Sequence, residues 1–305
     1  MEIIHGSDFE IKKPVAVTIG KFETIHVGHQ ILIQHTEQYR KKGYSPVLFT
    51  FDTHPLEQFG NKDTRYVYSN SEKEMILSTY NLDYIIEYPF SETLINMTPR
   101  QFFEDILIKK INSRAIVVGE DFRFGHKRSG DVVLLEQMTD EYNINLDVVS
   151  RRCIDNSKIS SSSIRDVIKN GNMELAAEML GRPYCVYGEV VHGRQLGRTI
   201  GMPTINVYPK DDKLLPPRGV YSSKVYLSGK DYLAVTNIGY KPTVKGDKKI
   251  NIESYIFDFD KNVYGENVCI ELLHFQRPEK KFESIDKLRE QMDHDKKQAY
   301  KNLRR

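Results

Sequence analysis

The sequence is poor in the features that mark membrane, secreted and nucleic-acid-binding proteins. Its 44 basic and 42 acidic residues leave a net charge of +2, so charge gives no case for binding nucleic acid or a membrane surface. It has no run of about 18 apolar residues and no apolar signal segment near Met1. Its three cysteines stand far apart without a CxxC pair, which is typical of a reduced, cytoplasmic protein. These absences favour a cytoplasmic globular protein, and no oligomeric state follows from them.

Length and periodicity predict two domains of different class. The chain has 305 residues, enough for two domains at about 100–200 residues each. In the first half, predicted strands at 15–19, 46–51, 84–88, 115–118 and 144–148 alternate with helices, of which two begin near Ser71 and Thr98. Strands separated by helices predict a parallel sheet, whose ligands bind beyond the carboxyl ends of the strands.

The pattern changes near Gly181-Arg182-Pro183. Apolar β-rich runs at 185–191, 219–227, 232–238, 251–259 and 268–275 follow, with no helix between them. This pattern predicts an antiparallel sandwich or small barrel. A last helix is predicted from near Ser284, with Ile285, Leu288 and Met292 on one face. The sequence thus predicts an α/β domain at 1–182 and a β domain with a C-terminal helix at 183–305.

Two histidines lie where the first long strand gives way to a helix. Gly20 ends the strand, and the helical pattern begins after His26-Val27-Gly28-His29. The start of a helix suits phosphate because of its N–H groups and the positive end of its dipole. Gly28 allows a close backbone approach, and both imidazoles can donate to a phosphate oxygen. The alternative is a pair of surface histidines that cap the helix.

A second candidate anion site is the run Ser160-Ser161-Ser162-Ser163-Ile164-Arg165, which leads into a helix. Its hydroxyls, N–H groups and arginine suit an anion, although a serine-rich helix cap explains the run equally well. The segment from Gly119 to Gly125 follows the fourth predicted strand and on its own indicates a turn with two core phenylalanines. Two anion sites at one sheet edge could hold a nucleoside triphosphate from both ends.

Several long motifs follow one another along nearly the whole chain. In the first half they are Gly20, Phe22, His26 to Gln30, Thr53-His54-Pro55, Gly119 to Gly125, Arg128, Gly130-Asp131 and the SSSSIR run. In the second half they are Gly188, Val190, Gly193, Gly197-Arg198, Gly201 to Asn206, Gly219-Val220-Tyr221, Asn237-Ile238-Gly239, Pro242-Thr243, Glu253 and Arg277-Pro278-Glu279. In these motifs the sequence resembles the bacterial bifunctional riboflavin kinase/FMN adenylyltransferase family, also called FAD synthetase.

The resemblance implies a Rossmann-like nucleotidyltransferase domain followed by a riboflavin kinase β-barrel. The barrel would phosphorylate riboflavin with MgATP, and the α/β domain would join FMN to the AMP part of another ATP, giving FAD. Thr204 and Asn206 would hold Mg²⁺, and Glu253 would be the base, unless it is only a polar residue on a strand. The triphosphate would be stabilised by His26, His29, Ser161 and Arg165. Other implied nucleotide-binding positions are Gly20, Phe22, Gly28, Asp121, Ser162, Gly193, Arg198, Gly201 and Asn206.

One loop departs from the family pattern, which usually reads Gly-x-Phe-Asp-Gly where this chain has Gly20-Lys21-Phe22-Glu23-Thr24. The longer Glu23 could bring negative charge toward the phosphates, and a β-branched Thr24 is poorly suited to positive φ. We therefore expect slow adenylylation and normal kinase activity. The alternatives are a riboflavin kinase with an impaired adenylyltransferase domain, or a non-catalytic flavin or nucleotide sensor, against which the retained Thr204, Asn206 and Glu253 argue.

Overall fold

The computed structural model describes residues 1–52, 65–150, 153–154, 157–193, 201–242 and 248–303. Thr53-His54-Pro55, Gly197-Arg198 and Thr243 therefore lie outside the described residues. The chain divides into two compact units, Met1–Ser160 and Ser161–Arg305, which are described in turn.

The first unit is built on a parallel sheet of six strands. In chain order they are β1 (Glu2–His5), β2 (Val15–Ile19), β3 (Ser45–Phe51), β4 (Tyr84–Tyr88), β5 (Ser113–Gly119) and β6 (Asn145–Val149). Their order across the sheet is β1-β4-β3-β2-β5-β6. Without β1, this is the arrangement of the first five strands of a Rossmann-like sheet, and the strand order reverses between β2 and β5. The predicted parallel α/β fold is confirmed.

Helices join these strands. They are α1 (Val27–Gln38), α2 (Asn70–Leu77), α3 (Glu92–Asn96), α4 (Pro99–Gln101), the π-helical segment Phe102–Lys110, α5 (Val132–Glu141) and two short 3₁₀ turns, Tyr39–Lys42 and His126–Arg128. The predicted helix start at Thr98 is confirmed, because Thr98 and Gln101 form a capping box with proline at the first helical position. The capping box of α2 uses Ser69 and Glu72, two residues before the predicted Ser71.

The core of the first unit explains why its central strands are continuous apolar runs. Every residue of β2 is buried, because both faces of the sheet are covered. The π-helical segment adds Phe103 and Ile106, and α5 adds Leu135 and Met138 to the same core cluster. A short antiparallel pair, β7 (Cys153–Ile154) and β8 (Ser157–Lys158), ends this unit.

The second unit contains a curled antiparallel sheet of six strands, with the order β10-β13-β12-β11-β14-β9. The strands are β9 (Tyr184–Glu189), β10 (Thr204–Val207), β11 (Gly219–Leu227), β12 (Lys230–Pro242), β13 (Lys248–Ile256) and β14 (Asn267–Pro278). An isolated antiparallel bridge between Val191 and Asn206 links the chain after edge strand β9 to the opposite edge strand, β10. The sheet therefore curls toward a barrel, as the sequence predicts.

Among the described residues, the helices of this unit are α6 (Ser161–Lys169), α7 (Met173–Leu180) and α8 (Ile285–Leu303). Helix α7 packs against β9 and β14, and Glu174 pairs with His274 of β14 at 2.5 Å. Both α6 and α7 precede residue 182, so contacts within the second unit begin before the predicted domain boundary. That boundary, between 182 and 183, stays a prediction.

Helix α8 packs through most of its predicted apolar face. Leu288 and Met292 are half-buried, and the same face continues through buried Asp295 and Ala299, whereas Ile285 is 65% exposed. Asp295 accepts hydrogen bonds from Nε and Nη2 of Arg277 on β14, at 3.1 and 2.7 Å, and from Gln291. A buried, fully hydrogen-bonded ion pair can hold a helix where an apolar stripe is incomplete.

Candidate active sites

The candidate nucleotide site of the first unit lies at the carboxyl ends of β2 and β5. In open α/β sheets, ligands bind where the strand order reverses, because the loops on either side of that point diverge and leave a crevice. Here the reversal falls between β2 and β5. The loop after β2 carries His26 and His29, and the loop after β5 carries Asp121. The topology thus brings two of the predicted motifs to one edge.

The two histidines form one stacked pair at the start of α1. Their rings lie 3.7 Å apart between centroids and 8° from parallel. Nδ1 of His26 accepts a hydrogen bond from the backbone N–H of His29 at 3.2 Å, so His26 is the cap of α1. Both side chains are half-buried. His26 therefore caps the helix and also lies at the edge of the sheet, so the helix-cap interpretation and the phosphate-site interpretation are compatible.

The glycines of this segment make room for aromatic rings. A Cβ on Gly28 would lie 3.1 Å from Cε1 of His26, and a Cβ on Gly20 would lie 3.1 Å from Cε2 of Phe22. The Phe22 ring in turn lies 4.8 Å from that of His29. The structure therefore shows Gly20 and Gly28 shaping the histidine pair; their contact with nucleotide stays a prediction.

The loop between Gly20 and His26 turns inward. Phe22, Glu23, Thr24 and Ile25 are all buried. Two hydrogen bonds fix this loop to neighbouring elements. On the side of the sheet, the Thr50 hydroxyl of β3 donates to the Lys21 carbonyl at 3.0 Å. From the helix side, Nε2 of Gln30 donates to the Ile25 carbonyl at 3.1 Å.

The loop after β5 is also ordered by its own contacts. Phe124 and Gly130 form an antiparallel bridge, and the rings of Phe122 and Phe124 stack at 5.4 Å. Arg123 pairs with Asp131 at 2.7 Å. The pKa of Asp131 is lowered, first by the Leu134 N–H that the carboxylate accepts as the cap of α5 and then by Arg123. Asp121 is exposed at the rim of this loop.

The predicted second anion site lies at the start of α6. Ser161 and Ser162 are in the first turn of this helix, and Arg165 lies one turn further on. These three residues belong to the second compact unit, whereas the histidines belong to the first. Their joint action on one triphosphate stays a prediction, and Arg198 lies outside the described residues.

The candidate site of the second unit is a polar patch on strands β10 and β13. Asn206 is the register partner of Glu253, and Thr204 is that of Tyr255, so the three predicted residues share one face of the sheet. The Thr204 hydroxyl donates to Oε1 of Glu253 at 2.5 Å. Asn206 is 3% exposed, whereas Thr204 and Glu253 are half-buried. The structure therefore brings Thr204, Asn206 and Glu253 together.

Two glycines leave space for polar side chains at this patch. A Cβ on Gly193 would overlap the Asn206 amide, and a Cβ on Gly239 would overlap the Glu279 carboxylate. Gly193, a predicted nucleotide-binding residue, therefore borders the patch. Gly201, the other glycine predicted there, is exposed with positive φ and with open space where a Cβ would stand.

Two further residues of this patch were missed as site residues in the sequence. Asn251 lies two positions before Glu253 on β13, hence on the same face, and its Nδ2 donates to Oδ1 of Asn206 at 3.0 Å. Glu279 reaches the patch over Gly239 and lies 3.6 Å from Arg218. The period of two in β13 was the signal that could have indicated Asn251.

The side-chain oxygen atoms of this patch are suitable ligands for a hard cation. Hydroxyl, carboxamide and carboxylate oxygens are the ligands that Mg²⁺ accepts while it keeps waters and substrate phosphates. One buried acceptor, Oδ1 of Asn251, has no hydrogen-bond partner among the residues that the structure describes. Within the same residues, no three His, Cys, Asp or Glu side chains come together as a metal-binding group. A cation here would therefore need ligands from nucleotide and water.

The first unit is Rossmann-like and has two histidines at its crevice. The second is a curled β unit with a patch of hydroxyl, carboxylate and carboxamide groups. Together they define a class of two-unit protein suited to binding nucleotides. The FAD synthetase family model matches residues 8–163, and the riboflavin kinase family model matches residues 180–303. The chain belongs to the bifunctional riboflavin kinase/FMN adenylyltransferase family.

Relatives of that name cover the chain almost completely. The Haemophilus influenzae protein is 33% identical over 300 residues, which are 97% of either chain. The Escherichia coli K12 protein is 34% identical over 295 residues, 96% of this chain and 94% of the relative. A solved structure described as a macrolide-efflux protein from Streptococcus pneumoniae is 31% identical, covers 95% of both chains and has a TM-score of 0.86. In the described part of this chain, no helix is long and apolar enough to span a membrane.

Proposed function

We propose that this chain makes FAD from riboflavin in two steps. The second unit transfers the γ-phosphoryl group of ATP to riboflavin and gives FMN. The first unit joins FMN to the AMP part of a second ATP and releases pyrophosphate. The observation that carries this proposal is the hydrogen bond from Thr204 to Glu253 beside buried Asn206, because it unites the residues that the kinase step requires.

In the kinase step, Glu253 takes the proton from the 5′-hydroxyl of riboflavin as that oxygen attacks phosphorus. Thr204 orients the carboxylate by donating to one of its oxygens, which leaves the other oxygen for the substrate hydroxyl. Phosphoryl transfer depends on positioning and charge neutralisation more than on covalent chemistry. Mg²⁺ bound with ATP supplies that neutralisation, and Thr204 and Asn206 are the residues that would hold it.

In the adenylyl transfer, a phosphate oxygen of FMN attacks the α-phosphorus of ATP, and pyrophosphate leaves. No protein nucleophile is required. The stacked imidazoles of His26 and His29 lie at the positive end of the α1 dipole, where they can donate to phosphate oxygens as negative charge develops. Ser161, Ser162 and Arg165 are proposed to bind the same triphosphate, on the strength of their family motif.

The proposal places both reactions in the cytoplasm. Its support is the small and widely spaced set of cysteines, which is typical of proteins from reducing compartments. Riboflavin, FMN and ATP are the proposed small-molecule partners, and neither nucleic acid nor membrane is among them.

A matched pair of variants tests the division of labour in the full-length chain. Glu253→Gln keeps the shape of the side chain but cannot take a proton. We expect FMN formation to fall by about 10²–10⁴-fold while adenylylation of supplied FMN survives. A loss of FMN formation smaller than about threefold would show that Glu253 has only a structural role.

The reciprocal variant is His29→Ala, with FMN and FAD resolved by chromatography in the same assay. We expect it to suppress FAD formation and to spare FMN formation, because His29 and Glu253 lie in different compact units. Equal loss of both activities in either variant would indicate misfolding, and thermal denaturation of both proteins is the control for that outcome.

A further inference from the structure

Asn251 is a buried polar residue to which the proposed reaction gives no role. It is 6% exposed and lies on β13, on the face that carries Glu253. Its Nδ2 donates to Oδ1 of Asn206 at 3.0 Å. Its own Oδ1 is buried and has no hydrogen-bond partner in the described part of the chain. Buried acceptors without a partner are rare in native proteins, so we expect this oxygen to accept a hydrogen bond from a bound ligand or its water.

The surroundings of Asn251 restrict what that ligand can be. Its cross-strand neighbour on β12 is Gly239, which has no side chain to offer a donor. The space above Gly239 is taken by the Glu279 carboxylate, and Glu253 is the next residue on the same face of β13. Ionised carboxylates only accept hydrogen bonds and cannot satisfy Oδ1. Glu279 is paired with Arg218 at 3.6 Å, so Glu253 is the carboxylate that would attract a cation, and a hydrated cation brings water molecules that donate.

We propose that Asn251 is a positioning residue for the cation of MgATP, which rests on the proposed kinase function of this patch. Its Nδ2–H fixes the orientation of the Asn206 carboxamide, and its Oδ1 accepts a hydrogen bond from a water of the cation's hydration shell. Mg²⁺ sheds its waters reluctantly and usually keeps several of them in protein sites, so an acceptor for such a water is in keeping with its chemistry.

A purely structural role makes a different prediction. If the hydrogen bond between Asn251 and Asn206 only joins β13 to β10, its loss lowers the stability of the second unit. In that case, substitution of Asn251 leaves the affinity for the cation unchanged in protein that remains folded. The positioning role instead predicts a loss of cation affinity that depends on Asn206, because Asn251 acts in part through that side chain.

The test is a double-substitution cycle in the full-length chain, read by electron paramagnetic resonance of Mn²⁺ in the presence of ADP. The variants are Asn251→Leu, Asn206→Ala and the double variant. The control is Ser254→Ala, which removes a buried hydroxyl of the same strand on the opposite face. Mn²⁺ bound elsewhere is common to all of these proteins and cancels in the comparison. Asn251→Ser, a smaller change, replaces Asn251→Leu if the latter does not fold.

We expect Asn251→Leu to weaken Mn²⁺ binding by about tenfold in the unmodified background and by about threefold when Asn206 is already alanine, because only the contact of Oδ1 with water is then lost. Ser254→Ala should bind Mn²⁺ as the unmodified chain does. Unchanged affinity in Asn251→Leu, or losses that simply multiply in the double variant, would overturn the proposal. Failure of the unmodified chain to make FMN would refute the proposed function separately, because the Mn²⁺ readout does not depend on turnover.

Discussion

Positive φ in the loop after β2 falls on Phe22 and Ile25, at 42° and 44°, and not on Thr24. Thr24 therefore does not occupy a position that requires the conformational freedom of glycine, contrary to the expectation from the sequence. Thr24 is fully buried and Glu23 is 5% exposed, so both side chains pack inside the first unit. The departure from the family pattern is a packing change in this structure.

The charge of Glu23 acts on a lysine of the same unit. Burial lowers the pKa of Lys73 on α2, while the carboxylates of Glu87 and Glu23 act in the opposite direction and favour its charged form. Glu87 also pairs with His5 at 3.0 Å and is the register partner of Thr50, whose hydroxyl holds the Lys21 carbonyl. Glu23 therefore lies close enough to Lys73 for the two side chains to interact electrostatically inside the unit.

The double change Glu23→Asp with Thr24→Gly tests this view at the residue scale. We expect FAD formation from supplied FMN to change by less than about threefold, equivalent to ~0.7 kcal/mol of barrier. The free energy of unfolding should fall by about 1–3 kcal/mol, because a buried side chain is lost and glycine frees the unfolded chain. Denaturant unfolding and FAD chromatography measure the two effects. A rise of tenfold or more in FAD formation would restore the expectation of an impaired loop.

At the scale of elements, burial decided which strands could be predicted from the sequence. Strands β2 and β5 are apolar runs with both faces covered, so their residues alone indicate a buried strand. β1 was missed because its four residues are partly exposed at the sheet edge. β10 was missed because its alternation of polar and apolar residues spans only the four residues Thr204–Val207, which is too short to indicate a strand on its own.

Helix α7 provides a prediction at this scale. Its side chains Met173, Ala176 and Leu180 are fully buried, and the helix packs on β9 and β14. A fragment of residues 161–305 should therefore be more stable than a fragment of residues 182–305, which leaves the surfaces of those strands uncovered. At about 25 cal/mol per Å² of apolar surface, the difference should reach several kcal/mol.

Thermal denaturation of the two fragments, with FMN formation as the activity readout, measures this difference. Both fragments contain Thr204, Asn206 and Glu253, so both should make FMN at a temperature where they are folded. Equal melting temperatures would show that α6 and α7 add nothing to the β unit and would favour the predicted boundary at residue 182.

At the scale of the whole molecule, the sequence predicted the two fold classes and their order but only part of each candidate site. His26 and His29 could be singled out because the motif and the strand-to-helix junction are local features. Thr204, Asn206 and Glu253 came from a family resemblance, since the register that pairs β10 with β13 is not local. Asn251 and Glu279 needed that register and the space above Gly239, which only the folded chain reveals.

The central claim is that one chain carries out two chemically distinct transfers from ATP. The most direct measurement supplies riboflavin, Mg²⁺ and ATP radiolabelled at either the γ- or the α-phosphorus, and follows the label in FMN and FAD over time. We predict that γ-label enters FMN first and FAD later, and that α-label enters FAD alone. The absence of γ-label from FMN, or of α-label from FAD while FMN accumulates, would contradict the claim.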